Sequence, residues 1–262
     1  MKIDIYQVDA FTDKPFHGNP AAVCPLQEWL PDELMQQIAL ENNLSETAFF
    51  VPEGDGYRIR WFTPTIEVDL CGHATLASAH VLYSFLDYQK ERINFESKGG
   101  ILTVSKAGRD LYALDFPRNN AIMIPDPPRN ILDGLNLRQA EVHKGRLDYM
   151  VVLNTQEEIE RLKPDFSLLA ESPARGVVVT APGNDSDFVS RCFYPQTGVN
   201  EDPVTGSAHT MSAPYWAKKL GKNKLSAIQL SARRGFLECQ VTELRVIMTG
   251  SAVTFLKGEI TV

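Results

Sequence analysis

The same order of landmarks runs twice through this chain, and that limits what it can fold into. "INFESKGGIL" begins at Ile93 and "IQLSARRGFL" at Ile228, with Ile, Gly and Leu coinciding at a spacing of 135 residues. Phe62-x-Pro64 is answered by Phe193-x-Pro195 at a spacing of 131, and Gly72-His73-Ala74 by Gly206-Ser207-Ala208 at 134. The drift of about three residues falls in the loop ahead of the glycine, where insertions cost least. The chain therefore reads as two copies of one strand-strand-loop-helix-strand-strand unit. A period this long, present only twice, means two similar domains rather than a solenoid.

The bulk numbers exclude several classes. A length of 262 residues is enough for a large core, in one domain or two. Hydrophobic residues at 44% and charged residues at 23% are an ordinary globular balance. A net charge of -7 argues against a nucleic-acid partner, which needs clustered Lys and Arg. No apolar run approaches a membrane span, and "MKIDIYQVDAFTDK" lacks the apolar stretch of a signal peptide. Cys24, Cys71, Cys192 and Cys239 are spread out with no CxxC, so the expectation is free thiols in a reducing cytoplasm.

Local patterns fill in the elements. "KIDIYQVDAF" reads as a first strand, and "HGNPAAV" as a loop freed by Gly18 and stiffened by Pro20. "PDELMQQIALENN" reads as a helix with Leu34, Ile38 and Leu40 on its apolar side. "SETAFFV" and "GYRIRWFTP" read as strands joined by a turn, followed by the apolar helix "GHATLASAHVLYSFL". The Pro-rich "RNNAIMIPDPPRN" is the best candidate for a linker. It puts the domains at 1–118 and 119–262, with a last strand near 252–262 free to pack back on the first. Beyond it "GVVVTAP", "SDFVSRCFYP" and the helix "TGSAHTMSAPYWAKKLG" repeat the pattern.

Each half thus places a Gly-x-Ala turn at a helix start. The first N–H groups of a helix have no intrahelical partner, and the macrodipole adds partial positive charge there. If the halves face each other, both starts point into one cleft suited to a carboxylate. Three readings compete for Cys71-Gly72-His73. A metal site wants three or four ligands at close spacing, and none is supplied. A Cys-His nucleophilic pair needs the side chains in contact, and two residues apart on a helix they point apart. An anion-receiving helix start with His73 as a donor, beside a buried Cys71, fits better.

An acid or base comes from "NLSETAFFV". Leu44, Glu46, Ala48 and Phe50 share strand parity, so Glu46 lies on an otherwise apolar side. Lost hydration there favours the neutral carboxyl, the setting of a general acid/base near neutral pH. The competing reading is a strand-end glutamate that reaches solvent or pairs with an Arg.

At these residues the chain resembles a known family. "DAFTDKPFHGNPAAV", "SETAFF", "FTPTIEVDLCGHATLASAHVL", "EDPVTGSAH" and "QLSARRG" resemble the PhzF family of phenazine-biosynthesis-type isomerases, from the first strand to near the C-terminus. The resemblance implies an α+β, diaminopimelate-epimerase-like fold: two pseudo-symmetric domains, each a central helix wrapped by β-strands. It implies a homodimeric enzyme without a cofactor or metal, moving a proton on a small carboxylate-bearing substrate. It makes Glu46 the catalytic acid/base and Asp202 a second acid of the site. Gly72 and His73 become the substrate-contacting turn, Gly206 and Ser207 the opposing helix start, and Asn19 a residue lining the site.

Epimerases and racemases of that fold use two cysteines, one at each helix start. Here Cys71 precedes Gly72, but Asp202-Pro203-Val204-Thr205 precedes Gly206. Two-thiol stereoinversion therefore lacks a partner on one face, whereas a single carboxylate shuttling a proton remains possible. The expectation is an isomerase using Glu46, with His73 and Asp202 orienting the substrate and stabilising charge. The alternatives are an amino-acid epimerase or racemase using Glu46 or Cys71 with an unidentified second base, and a non-catalytic binding protein that keeps the cleft.

Overall fold

Ten consecutive residues of one helix, His73 to Leu82, are out of water, so this helix has no solvent face and must be enclosed by strands. The computed structural model describes all 262 residues. They divide into two compact units, residues 1–115 with 249–262, and residues 116–248.

The first unit contains β1 (Lys2–Ala10), β2 (Asn19–Pro25), α1 (Asp32–Asn42), β3 (Glu46–Glu53), β4 (Gly56–Phe62), β5 (Glu67–Val68), α2 (Gly72–Phe85), β6 (Arg92–Ser97), β7 (Gly100–Gly108) and most of β8 (Leu111–Pro117). The buried helix is α2, which packs against β1, β2, β3 and β7. Each of Leu76, Val81 and Leu82, all 0% exposed, contributes about 1.5–3 kcal/mol by burial. Two of its polar side chains are bonded inside the core. Ser78 Oγ donates to the Ala74 carbonyl at 2.8 Å, and His80 bridges Tyr112 Oη at 3.0 Å and Thr254 Oγ1 at 2.8 Å. The outer face of the strands is covered by α1 through Met35, Ile38 and Ala39. Leu40, expected on that side, is 58% exposed, because it lies two residues, about 200° of helix, beyond Ile38.

The second unit contains β9 (Ile122–Met123), α3 (Arg129–Gly134), β10 (Glu141–Lys144), β11 (Asp148–Val152), α4 (Gln156–Glu160), α5 (Phe166–Ala170), β12 (Gly176–Pro182), β13 (Phe188–Tyr194), β14 (Val199–Asp202), α6 (Gly206–Leu220), β15 (Lys224–Gln229) and β16 (Gly235–Val241). The final strand, β17 (Arg245–Thr261), starts there and pairs with β1 from Ala252 to Thr261. The Pro-rich stretch expected to be a linker carries β9, which pairs with β10. The helix enclosed here is α6, against β11, β15 and β16. Pro214 lies inside it and cannot donate to the Thr210 carbonyl four residues back. The Asn119 amide donates to that carbonyl instead, at 3.1 Å. No helix of the chain is long and apolar enough to cross a membrane.

The duplication is visible as register. In the first unit β2 runs parallel to β3, β3 antiparallel to β4, β4 antiparallel to β5 and parallel to β6, and β6 antiparallel to β7. In the second, β11, β12, β13, β14, β15 and β16 repeat these five pairings in the same order. The match corrects one sequence landmark. Tyr57 pairs with Phe95, and its counterpart Phe188 pairs with Ala227, so β6 and β15 correspond at a spacing of 132, not 135. The Ile93–Ile228 coincidence is three residues out of structural register. The difference is made up in the hairpin, which has two residues between Ser97 and Gly100 but five between Gln229 and Gly235.

One core group makes stability depend on pH. His209, 0% exposed on α6, bonds through Nδ1 to the Thr205 carbonyl at 2.8 Å, while Nε2 has no partner. Burial pushes its imidazole down to about 4. Between that value and its usual 6.5, the unfolded chain binds a proton that the folded chain refuses. Stability is therefore full above the usual value and lost as pH falls towards 4, by about 3 kcal/mol. Urea unfolding from pH 7 to 4.5 should show this slope, and His209→Gln should flatten it. An equal slope in the variant would contradict the assignment.

Candidate active site

In the first unit three elements bring four side chains together. Asn19 opens β2, Glu46 opens β3, and Ala21 and Glu46 are paired across the parallel ladder. Cys71 is the N-cap of α2 and His73 its second residue. Gly18, at φ +64, allows the entry to β2; a Cβ there would lie 2.1 Å from the Ala10 carbonyl oxygen.

His73, 4% exposed, is gripped at both ring nitrogens. Asn19 Nδ2 lies 3.2 Å from Nδ1 and Cys71 Sγ 3.5 Å from the same atom. Nε2 lies 3.2 Å from Glu46 Oε2. That last approach is close but poorly aligned, so Glu46 Oε2 and His73 Nε2 are both buried with no hydrogen-bond partner. Buried polar atoms are rarely left so outside functional sites. Burial opposes charge on His73, but the Cys71 sulfur and the Glu46 carboxylate more than offset it and hold the imidazole well above its ordinary value. Burial, then the Glu46 charge, pushes the Cys71 thiol up to about 11. At neutral pH the sulfur is therefore a thiol.

Two sequence expectations need correcting. Cys71 and His73 do not point apart. Cys71 lies outside the helix in extended conformation, φ -142 and ψ 114, which turns its sulfur back over the first turn. The parity of Glu46 is also not what singles it out. β3 is buried on both faces, with Phe49 and Val51 in the core under α1 and Ala48 and Phe50 opposite. Glu46 is set apart as the strand's first residue, its side chain 18% exposed.

The fold also gathers donors that sequence spacing did not show. Glu46, Cys71 and His73 offer ligand atoms within 4.8 Å of one another. However, Cys71 and Glu46 engage opposite nitrogens of one ring. A single ion could not take all three donors unless a side chain turned.

In the second unit, Asp202 ends β14, and Gly206 and Ser207 open α6. Thr205, the N-cap, makes no side-chain cap. Its hydroxyl is given to Asp202 Oδ2. Gln229, 0% exposed, fixes this turn by donating to the Asp202 carbonyl at 2.7 Å and accepting from the Thr205 amide at 2.8 Å. The sequence reading missed the group beside it. Arg175 forks onto Asp148 through Nε–Oδ1 at 2.9 Å and Nη2–Oδ2 at 2.5 Å, and Nη2 also donates to Ser207 Oγ at 2.9 Å. Its guanidinium lies 5.1 Å over the Tyr194 ring. One signal could have revealed it: mapped by register, Arg175-Gly176-Val177 answers Ser45-Glu46-Thr47.

The register also shows where the units differ. Glu46 corresponds to Gly176, Val68 to Asp202, Cys71 to Thr205 and His73 to Ser207. The glycine is required: a Cβ at Gly176 would fall 2.1 Å from Tyr194 Cδ1.

The thiol assignment gives a direct expectation. In the native protein at pH 8, iodoacetamide should leave Cys71 unmodified, because it is 6% exposed and held as a thiol. Labelling should appear only on unfolding. Rapid native labelling would mean the sulfur is available as a base.

Comparison with known proteins agrees with this frame. The family model described as phenazine biosynthesis-like protein, PhzC-PhzF, matches residues 8–258. An uncharacterized isomerase of Pseudomonas aeruginosa is 53% identical over 98% of either chain. A phenazine biosynthesis-like domain-containing protein of Rattus norvegicus is 36% identical over the whole of both. The crystal structure of a PhzF family protein from Enterococcus faecalis superposes with a TM-score of 0.95 at 49% identity, covering all of both chains. A probable proline racemase from Agrobacterium radiobacter, at 14% identity and a TM-score of 0.68, shares the fold alone. The fold is α+β and diaminopimelate-epimerase-like, and the chain belongs to the PhzC-PhzF, phenazine biosynthesis-like, family.

Proposed function

We propose that this protein is a cofactor-independent isomerase that moves a proton between carbon positions of a small carboxylate-bearing substrate. The observation that carries the reading is the contact between Glu46 and His73. A carboxylate and an imidazole, largely buried, stand 3.2 Å apart with their facing atoms unbonded. Glu46 takes a proton from a carbon made acidic by a neighbouring carbonyl or double bond, and returns it to another position. His73, held charged, supplies a preorganised positive donor where negative charge develops. The uncapped start of α2 is suited to a carboxylate oxygen of the substrate, and in the second unit the uncapped start of α6, with Ser207, is suited to a carboxylate in the same way. Asp202 is fixed beside the α6 start by Thr205 and Gln229 and is suited to orient polar groups there. Asn19 lies against the ring of His73 at Nδ1.

The register favours this over epimerisation by two bases. The position answering Cys71 is Thr205, whose hydroxyl is committed to Asp202, and the position answering Glu46 is Gly176. The first unit therefore holds the proton-transfer group and the second has no matching one, which suits double-bond migration better than stereoinversion.

The test is exchange in deuterium oxide against a library of unsaturated and cyclic small carboxylates, read by mass spectrometry. Wild-type protein should place deuterium on carbon of at least one compound. Glu46→Gln should slow this by about 100-fold or more, while Cys71→Ser should keep it within about tenfold. Undiminished exchange by Glu46→Gln would overturn the reading.

A further inference from the structure

The Arg175 cluster fixes the direction of one hydroxyl. A guanidinium can only donate hydrogen bonds. Ser207 Oγ, 2.9 Å from Nη2, must therefore accept from it. The hydroxyl has a single proton, which is then left to be donated elsewhere. Ser207 is the second residue of α6 and is partly exposed, so its proton and the uncapped amides of the first turn present donors on one surface.

The arrangement is built to hold. Asp148, its side chain 3% exposed, grips the fork through two of its oxygens. Tyr194, 6% exposed, packs its ring under the guanidinium, and its hydroxyl has no hydrogen-bond partner. Gly176 leaves room for that ring. The side chain of Arg175 keeps 29% exposure.

We propose that Arg175 is a positioning residue that sets the polarity of the α6 start. By occupying one lone pair of Ser207 it turns the hydroxyl proton away from itself, so that the α6 start offers a donor and favours a carboxylate over an ammonium group. This deepens the proposed function and rests on its assignment of a carboxylate to that helix start. Without Arg175 both lone pairs of Ser207 are free and its proton is no longer directed outward, so the preference fades.

The test uses the full chain and three matched probes, benzoate, benzamide and benzylammonium, titrated while the Gly206 and Ser207 amide resonances are followed by NMR. Benzoate should saturate the wild type at a concentration about tenfold or more below the other two. Ser207→Ala should remove most of that preference, as should Arg175→Met. Arg175→Met leaves Asp148 buried without its partner, so Arg175→Met with Asp148→Asn serves as the fold-safe version, with thermal unfolding as the check. The deciding result is coupling. In the Ser207→Ala background, loss of Arg175 should cost no more than about twofold further. If it costs as much as in the wild type, or if Ser207→Ala leaves benzoate selectivity intact, Arg175 does not act through Ser207 and the inference fails alone. If benzoate shows no saturable shift in the wild type, the carboxylate site itself is absent and both readings fail.

Discussion

A histidine held inside the fold between a carboxylate and a thiol is the constraint on which the rest depends. Burial alone would neutralise His73, and the Cys71 sulfur and the Glu46 carboxylate, one at each ring nitrogen, together oppose it. Keeping that pair in place requires the first residue of β3 to meet the first turn of α2. This in turn requires α2 to be enclosed by strands on every side. The apolar run along α2 serves chemistry by fixing where its polar first turn must lie.

The duplicated frame makes the difference between the units informative. Five strand pairings repeat in order, so residues can be matched by register and not by eye. At matched positions the first unit has Glu46, Cys71 and His73, and the second has Gly176, Thr205 and Ser207. The first set can take and give a proton. The second lies beside Arg175, which Asp148 holds and which donates to Ser207. A scaffold able to carry the same group twice has here placed different side chains at matched positions.

Much of this could be read from the sequence, for physical reasons. Helix starts and turn glycines are local signals, so Gly72 and Gly206 were placed correctly at the heads of α2 and α6. Glu46 and His73 were visible through family motifs, but their contact belongs to tertiary structure. The contact of Cys71 with His73 was missed because helical spacing was assumed for a residue that caps the helix in extended conformation. Arg175 and Asp148 were missed because they are distant in sequence and meet only through the parallel pairing of β11 and β12. The matching of Ile93 with Ile228 failed because a hairpin of different length restores an identical residue type out of register.

The most direct measurement is the NMR titration of the His73 ring in the wild type and in Glu46→Gln. If the Glu46 charge sustains the imidazolium, His73 should titrate well above its usual value in the wild type. Removing that charge should bring it down, because burial then acts with less opposition. A His73 that titrates at or below its ordinary value in the wild type, or that does not move in the variant, would contradict the account.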